Sequence, residues 1–403
     1  MRKSFFKKMA AVVLAVVTTM AMFTGCGGAG STSASTKSIT IQGGNTEGDL
    51  DPAGVALGMF IQYSRLCLEP LITYDSDGKV SKAMAESYEE SSDGLTWTFH
   101  LRKDAKWSDG SAVTSADFVN TIKRSLDGKT SKSIYADMLS PIVGAAEAYA
   151  GTASVDNVGV TAPDDYTIEF KLVKPCSYFL KLIAMQCCYP SKAGIATNEN
   201  ETWYTDPKTN LANGAFYMTE YVQGQYYKLK KNPNYYDADK VYLEDITVKF
   251  IDDATAAVSA YKTNEVDFAT NLPAYVMSEY QGKSDLVLQP NITTRFILFN
   301  VTKAPFNNDK VRRAISMALS RAEICKTVGD DYEASTQFIA KYMLSNLGTG
   351  KKFSDESGEM ITEDIAKAKS LLAEAGYPNG AGFPTVTYNY PNNEQDKLIA
   401  QAI

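Results

Sequence analysis

Ile246-Thr247-Val248-Lys249-Phe250, then residues 254–261, then Val266-Asp267-Phe268 form the stretch on which the fold turns. Ile246, Val248 and Phe250 alternate with polar residues, the period of a half-buried strand. Residues 254–261 read as a helix, and Val266-Asp267-Phe268 as a second strand. Strand, helix, strand implies a parallel connection, because parallel neighbours need a crossover between them. An α/β chain is therefore expected.

Nearer the N-terminus, Leu95-Thr96-Trp97-Thr98-Phe99-His100-Leu101 alternates strictly, with Leu95, Trp97, Phe99 and Leu101 on one face. His100 falls on the other face with Thr96 and Thr98, where a solvated structural role is expected. Asp109-Gly110 marks a turn, and Thr114-Ser115-Ala116-Asp117 resembles a capping box opening a helix through Phe118, Val119, Ile122 and Leu126. Residues 158–160 and 167–172 read as strands joined at Pro163-Asp164-Asp165, and a hairpin turns near Gln223-Gly224. Residues 296–300 and 385–390 also read as strands. Helices are expected after Asp309, over 362–375 and from 392.

Size and composition narrow the function. The 403 residues suffice for two or three domains. With 44% hydrophobic and 22% charged residues, the chain is neither disordered nor collagen-like. A mean hydropathy of −0.22 and a single long apolar run exclude a multi-span membrane protein. A net charge of −7 lacks the cationic footprint that phosphate backbones require, so no nucleic-acid partner is expected. A single histidine argues against His-based catalysis and multi-histidine metal sites.

Residues 1–25 read as an export signal: Arg2, Lys3, Lys7 and Lys8 precede an uncharged apolar run over 10–23. The run ends in Phe23-Thr24-Gly25-Cys26. Small residues before a cysteine resemble a bacterial lipobox, which would make Cys26 the lipidated residue; Phe23 departs from the usual Leu or Val. Residues 26–38 are Gly/Ser/Thr/Ala-rich and read as a flexible tether. Removing residues 1–25 deletes four positive charges and no negative ones, taking the net charge from −7 to −11. The body is expected outside the membrane, leashed by its lipid. Cys67, Cys176, Cys187, Cys188 and Cys325 match no metal-site spacing and read mostly as buried thiols.

No nucleophile elbow, zinc-protease helix or Walker loop occurs, and no Gly-x-Gly-x-x-Gly joins a predicted strand to a helix as a dinucleotide fingerprint requires. Acidic pairs such as Glu89-Glu90, Asp164-Asp165 and Asp252-Asp253 sit at turns or strand edges. No catalytic residue, metal ligand or cofactor is expected. Tyrosine-rich runs such as Tyr226-Tyr227 and Tyr235-Tyr236 could line a ligand groove or serve the core.

Several motifs occur in a fixed order. Leu50-Asp51-Pro52 comes first, with Arg65 downstream. Ala85-Glu86-Ser87-Tyr88, Trp97-Thr98-Phe99-His100-Leu101-Arg102 and Ala105-Lys106-Trp107-Ser108-Asp109-Gly110 follow, before Thr114-Ser115-Ala116-Asp117-Phe118-Val119. Asn213-Gly214-Ala215-Phe216, Leu298-Phe299-Asn300, Ala304-Pro305-Phe306-Asn307-Asn308, Val311-Arg312-Arg313-Ala314-Ile315 and Ala375-Gly376-Tyr377-Pro378 complete the series. Together they closely resemble the oligopeptide and dipeptide substrate-binding lipoproteins of ABC importers, the family 5 extracellular solute-binding proteins.

The resemblance implies an α/β, periplasmic-binding-protein-like two-lobe fold of type II with an extra inserted domain. Lobe I would be 39–68 with 191–292, the inserted domain 69–190, and lobe II 293–403. That lobe is expected to be incomplete, since the terminal helix stops without a cap and the family's chain runs further. Non-enzymatic capture of an oligopeptide between the lobes is implied, with backbone hydrogen bonds supplying sequence-independent affinity. Delivery to the importer's permease subunits would follow, from a monomer at the extracytoplasmic face. By motif register the ligand-contacting residues would be Ala56, Leu57, Gly58, Tyr135, Asn271 and Phe296. Ala56 replaces a glutamate found in some members, and the residue that would hold the ligand's α-amino group would lie beyond 403. Rival readings are a binder of nickel chelates, haem, opines or oligosaccharides, a peptide-sensing surface receptor, and a secreted hydrolase, which the missing motifs disfavour.

Overall fold

The computed structural model describes residues 37–403 except 45–49, 55–57, 76–78, 201, 271, 273, 289–292, 330–331, 346–350 and 392–393. Two compact units emerge. One runs up to Asp252 and takes in Asn264–Phe268; the other comprises Asp253–Thr263 and Ala269–Ile403.

The first unit holds β1 (Ser38–Gly43), α1 (Gly58–Cys67), β2 (Ile72–Tyr74), β3 (Val80–Lys82), β4 (Ala85–Glu90), β5 (Thr96–Leu101) and α2 (Ser115–Leu126). It continues with β6 (Val160–Asp164), β7 (Thr167–Lys171), β8 (Phe216–Val222), β9 (Tyr226–Lys231) and β10 (Asp245–Phe250). One sheet has the order β1-β10-β9-β8. β1 lies parallel to β10, with Ile39 opposite Ile246 and Ile41 opposite Val248. Phe268 bridges Ile41 in parallel on the other side of β1, and its carbonyl accepts from the Gln42 N–H at 3.0 Å. The parallel return expected at 246–268 is thus present with β1 in between, but residues 266–268 form a single bridge rather than the expected strand, because the Asp267 carboxylate accepts the Thr40 N–H at 2.8 Å in place of a ladder carbonyl. Asn264, at φ 57°, makes the turn that follows the helix, a conformation asparagine tolerates better than most residues. The β8–β9 hairpin turns through Gly224 at φ 72°, as expected. Ile246, Val248, Leu229, Tyr227 and Met218 line the buried face, where Tyr63 of α1 packs edge-on against Tyr227 at 6.0 Å.

The second sheet is antiparallel, in the order β4-β5-β7-β6. Trp97, Phe99 and Leu101 of β5 are buried beside Ile168 and Phe170 of β7. Phe179 caps this row, 5.5 Å from Trp97 and 5.3 Å from Phe170 between ring centres. Phe118, Ile122 and Leu126 of α2 join the same core. The outer strands differ from β5 in character: β6 contains Pro163, and Glu86, Glu89 and Glu90 of β4 are exposed. The strand expected at 158–160 is displaced, running on through Pro163 to Asp164 before the turn. β2 and β3 form a small separate hairpin, with Ile72 opposite Lys82.

In the second unit the regular elements are helical among the described residues. They are α3 (Ala254–Lys262), α4 (Ala274–Tyr280), α5 (Asp309–Ala318), α6 (Arg321–Val328), a short helix Phe353–Ser357, α7 (Ile365–Glu374) and α8 (Glu394–Ala402). Asn308 caps α5 and Asp364 caps α7, each side chain accepting a first-turn N–H. Val311, Ala314 and Ala368 are buried where α5 meets α7, and Lys310 and Glu374 pair at 2.9 Å. The strands expected at 296–300 and 385–390 are not formed. Neither segment has a ladder partner among the described residues, and Leu298, Val386, Tyr388 and Tyr390 stay exposed. Alternating apolar residues make a face, but only a partner's hydrogen bonds make a strand.

Candidate functional site

The motif residues of the first unit build clamps, and the physical reason for each residue type is visible. Trp107 is fully buried, and its indole N–H donates to Asp117 at 2.9 Å. The same carboxylate accepts from the Thr114 N–H at 2.9 Å and from the Ala193 N–H at 2.9 Å. One buried aspartate thus caps α2, orients the tryptophan and ties down the 190s segment. Asp109 accepts from Ser111 N–H and hydroxyl at 2.9 and 2.7 Å, and Gly110 takes the φ of 87° that this turn needs.

Asn213-Gly214 explains itself similarly. The Asn213 side chain accepts from the Glu69 N–H at 2.9 Å and donates to the Glu69 carbonyl at 3.1 Å. Gly214 donates to the Cys67 carbonyl at 2.9 Å, and a Cβ there would stand 2.7 Å from the Cys67 carbonyl carbon. The Glu69 carboxylate accepts from the Tyr236 hydroxyl at 2.9 Å, and Arg102 lies 3.2 Å above the Tyr236 ring. Burial pushes the Glu69 carboxyl up, with the Tyr236 and Tyr235 hydroxyls opposing. The Tyr235-Tyr236 run therefore serves this network.

Asp51 and Arg124 form a buried ion pair. The guanidinium also donates to Asn198 and Ser191, each at 3.1 Å, and Asp51 accepts from the Ala53 N–H at 2.9 Å. A cavity of about 20 Å³ adjoins the pair, lined in part by Asp51, Lys132, Asn198 and Tyr204, with room for about one water.

The expected ligand-contacting residues fall in both units. Gly58 opens α1. Tyr135 precedes the short turn of helix Ala136–Leu139, half-buried against the core between the exposed side chains of Ile134 and Met138. Phe296 lies 52% exposed on the unpaired segment of the second unit. Ala56, Leu57 and Asn271 lie outside the described residues, as does Cys26. His100 is on the outward face of β5, 3.6 Å from Glu89.

Among the described residues no group of three or more His, Cys, Asp or Glu could hold a metal. No helix among them is long and apolar enough to cross a membrane. Cys67, Cys176, Cys187 and Cys188 are buried free thiols, and burial pushes the Cys67 thiol up, which keeps it unreactive.

Residues 79–403 match the family model described as bacterial extracellular solute-binding proteins, family 5 Middle. The chain is 31% identical over 339 residues to the dipeptide-binding protein DppE of Bacillus subtilis, covering 83% of this chain. It is also 31% identical over 336 residues to the probable deoxycholate-binding periplasmic protein YgiS of Escherichia coli, covering 82% of this chain. The alignments span 61% of the length of each of these two relatives. Among solved structures, Listeria monocytogenes OppA bound to peptide superposes with a TM-score of 0.79 at 25% identity, over 92% of this chain and 74% of that one.

Proposed function

The chain belongs to the bacterial extracellular solute-binding proteins of family 5, and on that premise we propose that it captures oligopeptides and delivers them to the permease of an ABC importer. The observation that carries this reading is the family match over residues 79–403, joined by relatives whose names specify peptides. The family is one of binding proteins, and its fold is the periplasmic-binding-protein type II fold of OppA.

In this proposal the protein sits at the extracytoplasmic face, exported by residues 1–25 and anchored through Cys26, with 26–38 as tether. Residues 39–68 and 191–292 form lobe I, 69–190 the inserted domain, and 293–403 belong to lobe II. A peptide is held extended by main-chain hydrogen bonds at Ala56, Leu57 and Gly58, with side chains meeting Tyr135, Asn271 and Phe296. Backbone pairing is blind to sequence, so one receptor accepts many peptides, and pockets with adaptable water tune the preference. The guest leaves chemically unchanged, and the receptor works as a monomer.

Mass spectrometry of the full-length protein, purified from its own cells without refolding, is expected to find co-purified short peptides. The deoxycholate named for one relative motivates a second reading, an amphipathic apolar solute. Recovery of a bile acid, saccharide or metal chelate in place of peptides would sink the first. Palmitate labelling that disappears in Cys26→Ser tests the anchor.

A further inference from the structure

Phe296 and Phe338 are 52% and 56% exposed, yet their ring centres lie 4.7 Å apart at 56°. Two large aromatic side chains have thus gathered on one another while each keeps half its surface in water. The residues next to them in sequence make ties to other segments. Arg295, next to Phe296, forms an ion pair with Asp396 of α8. Gln337, next to Phe338, donates to the Ser354 carbonyl at 3.0 Å and to the Gly358 carbonyl, and accepts from the Ser357 hydroxyl at 3.1 Å. The Thr336 carbonyl accepts from the Met360 and Ile361 N–H groups, each at 3.3 Å. Rings already gathered on one another, with tied neighbours, lose less freedom on binding than rings on separate free loops.

We propose that Phe338 is a specificity-determining ligand contact which, with Phe296, forms an aromatic clamp for one aromatic or large aliphatic side chain of the bound peptide. The inference rests on the peptide-binding reading, in which Phe296 already faces the ligand. Phe338 adds what that reading lacked: a second ring inclined to the first, so that a guest side chain meets one face and one edge. The Arg295 charge is spent on Asp396, which leaves the neighbourhood of the rings suited to an apolar guest rather than an acidic one.

The test uses full-length protein freed of endogenous ligand, penta-alanine, and five pentapeptides each carrying one phenylalanine in place of one alanine. Calorimetry on the wild type is expected to show a preference for phenylalanine at one position. Phe338→Ala is expected to reduce that preference by about five- to tenfold while changing penta-alanine affinity less than about twofold. Phe338→Leu, which keeps apolar bulk and loses the ring, is expected to fall between the two, and it guards against a misfolded alanine variant. Peptide binding with no positional preference, or with the same preference in both variants, overturns the clamp and leaves the peptide reading standing. No binding of any of the six peptides overturns the peptide reading and the clamp with it.

Discussion

Residues 96–101 and 296–300 both read as strands from their apolar residues, yet Trp97, Phe99 and Leu101 are buried whereas Phe296 and Leu298 are 52% and 83% exposed. β5 has β4 on one side and β7 on the other, so its amides are paired and one face is covered. Among the described residues the 296–300 backbone has no ladder, and Phe296, Leu298 and Asn300 remain open to solvent. The same contrast separates the two units. In the first, motif residues are spent on holding segments together; in the second, apolar side chains stay available for contact. Burial follows from satisfied backbone, and a segment that keeps its backbone unpaired keeps its side chains free to meet something else.

This contrast can be broken experimentally, since Trp97, Trp107 and Trp203 all lie in the first unit and their fluorescence reports its unfolding alone. The largest effect is expected from Arg124→Ala. It strands Asp51 in the interior, and urea titration should show a loss of about 3–5 kcal/mol. A loss below about 1 kcal/mol would mean the pair is hydrated and the clamp is not as drawn. Gly214→Ala pushes a methyl into the Cys67 backbone and is expected to cost about 1–3 kcal/mol, read in the same titration. Tyr227→Phe should act in the opposite direction. The buried Tyr227 hydroxyl has no hydrogen-bond partner among the described residues, so removing it is expected to stabilise the unit by about 1 kcal/mol. A destabilised variant would point to a buried water holding that hydroxyl.

Glu69 makes the stability of the first unit depend on pH. Its carboxyl is raised in the folded state, so the stability it contributes is full below the unfolded value and is lost as pH rises through the folded one. Glu69→Gln cannot ionise and should therefore lose less stability than the wild type between about pH 4 and pH 7. Parallel slopes for the two proteins would remove Glu69 from the account. The smallest effect belongs to the second unit: Leu298→Ser is expected to shift the thermal midpoint by less than about 0.5 kcal/mol equivalent. A loss above 1 kcal/mol would show that 296–300 is packed after all, and the contrast would fail.

What the sequence revealed follows the same divide. The alternations at 95–101 and 246–250, the hairpin at Gly224 and the cap before α2 were legible because each is local. The ordered motifs made the family legible too, though motif residues such as Asp117, Asn213 and Gly214 turn out to be structural. Asp51 and Arg124 are 73 positions apart, and Glu69 and Tyr236 are 167 apart; no periodicity joins such pairs. Phe338 escaped for the same reason, because a lone phenylalanine in a loop resembles any other until its partner ring is seen. The strands expected at 296–300 and 385–390 failed because an apolar run at the first and alternation at the second supply apolar surface without supplying a neighbour.

The outer strands of the β4-β5-β7-β6 sheet carry one more consequence. Pro163 lacks an amide proton on β6, and β4 presents Glu86, Glu89 and Glu90 along its length. A second copy approaching either border meets a gap in the donor row or a line of like charges. During refolding at high concentration, the sheet is thereby guarded against zippering into aggregates, even though its two interior strands carry Trp97, Phe99, Ile168 and Phe170 on one face.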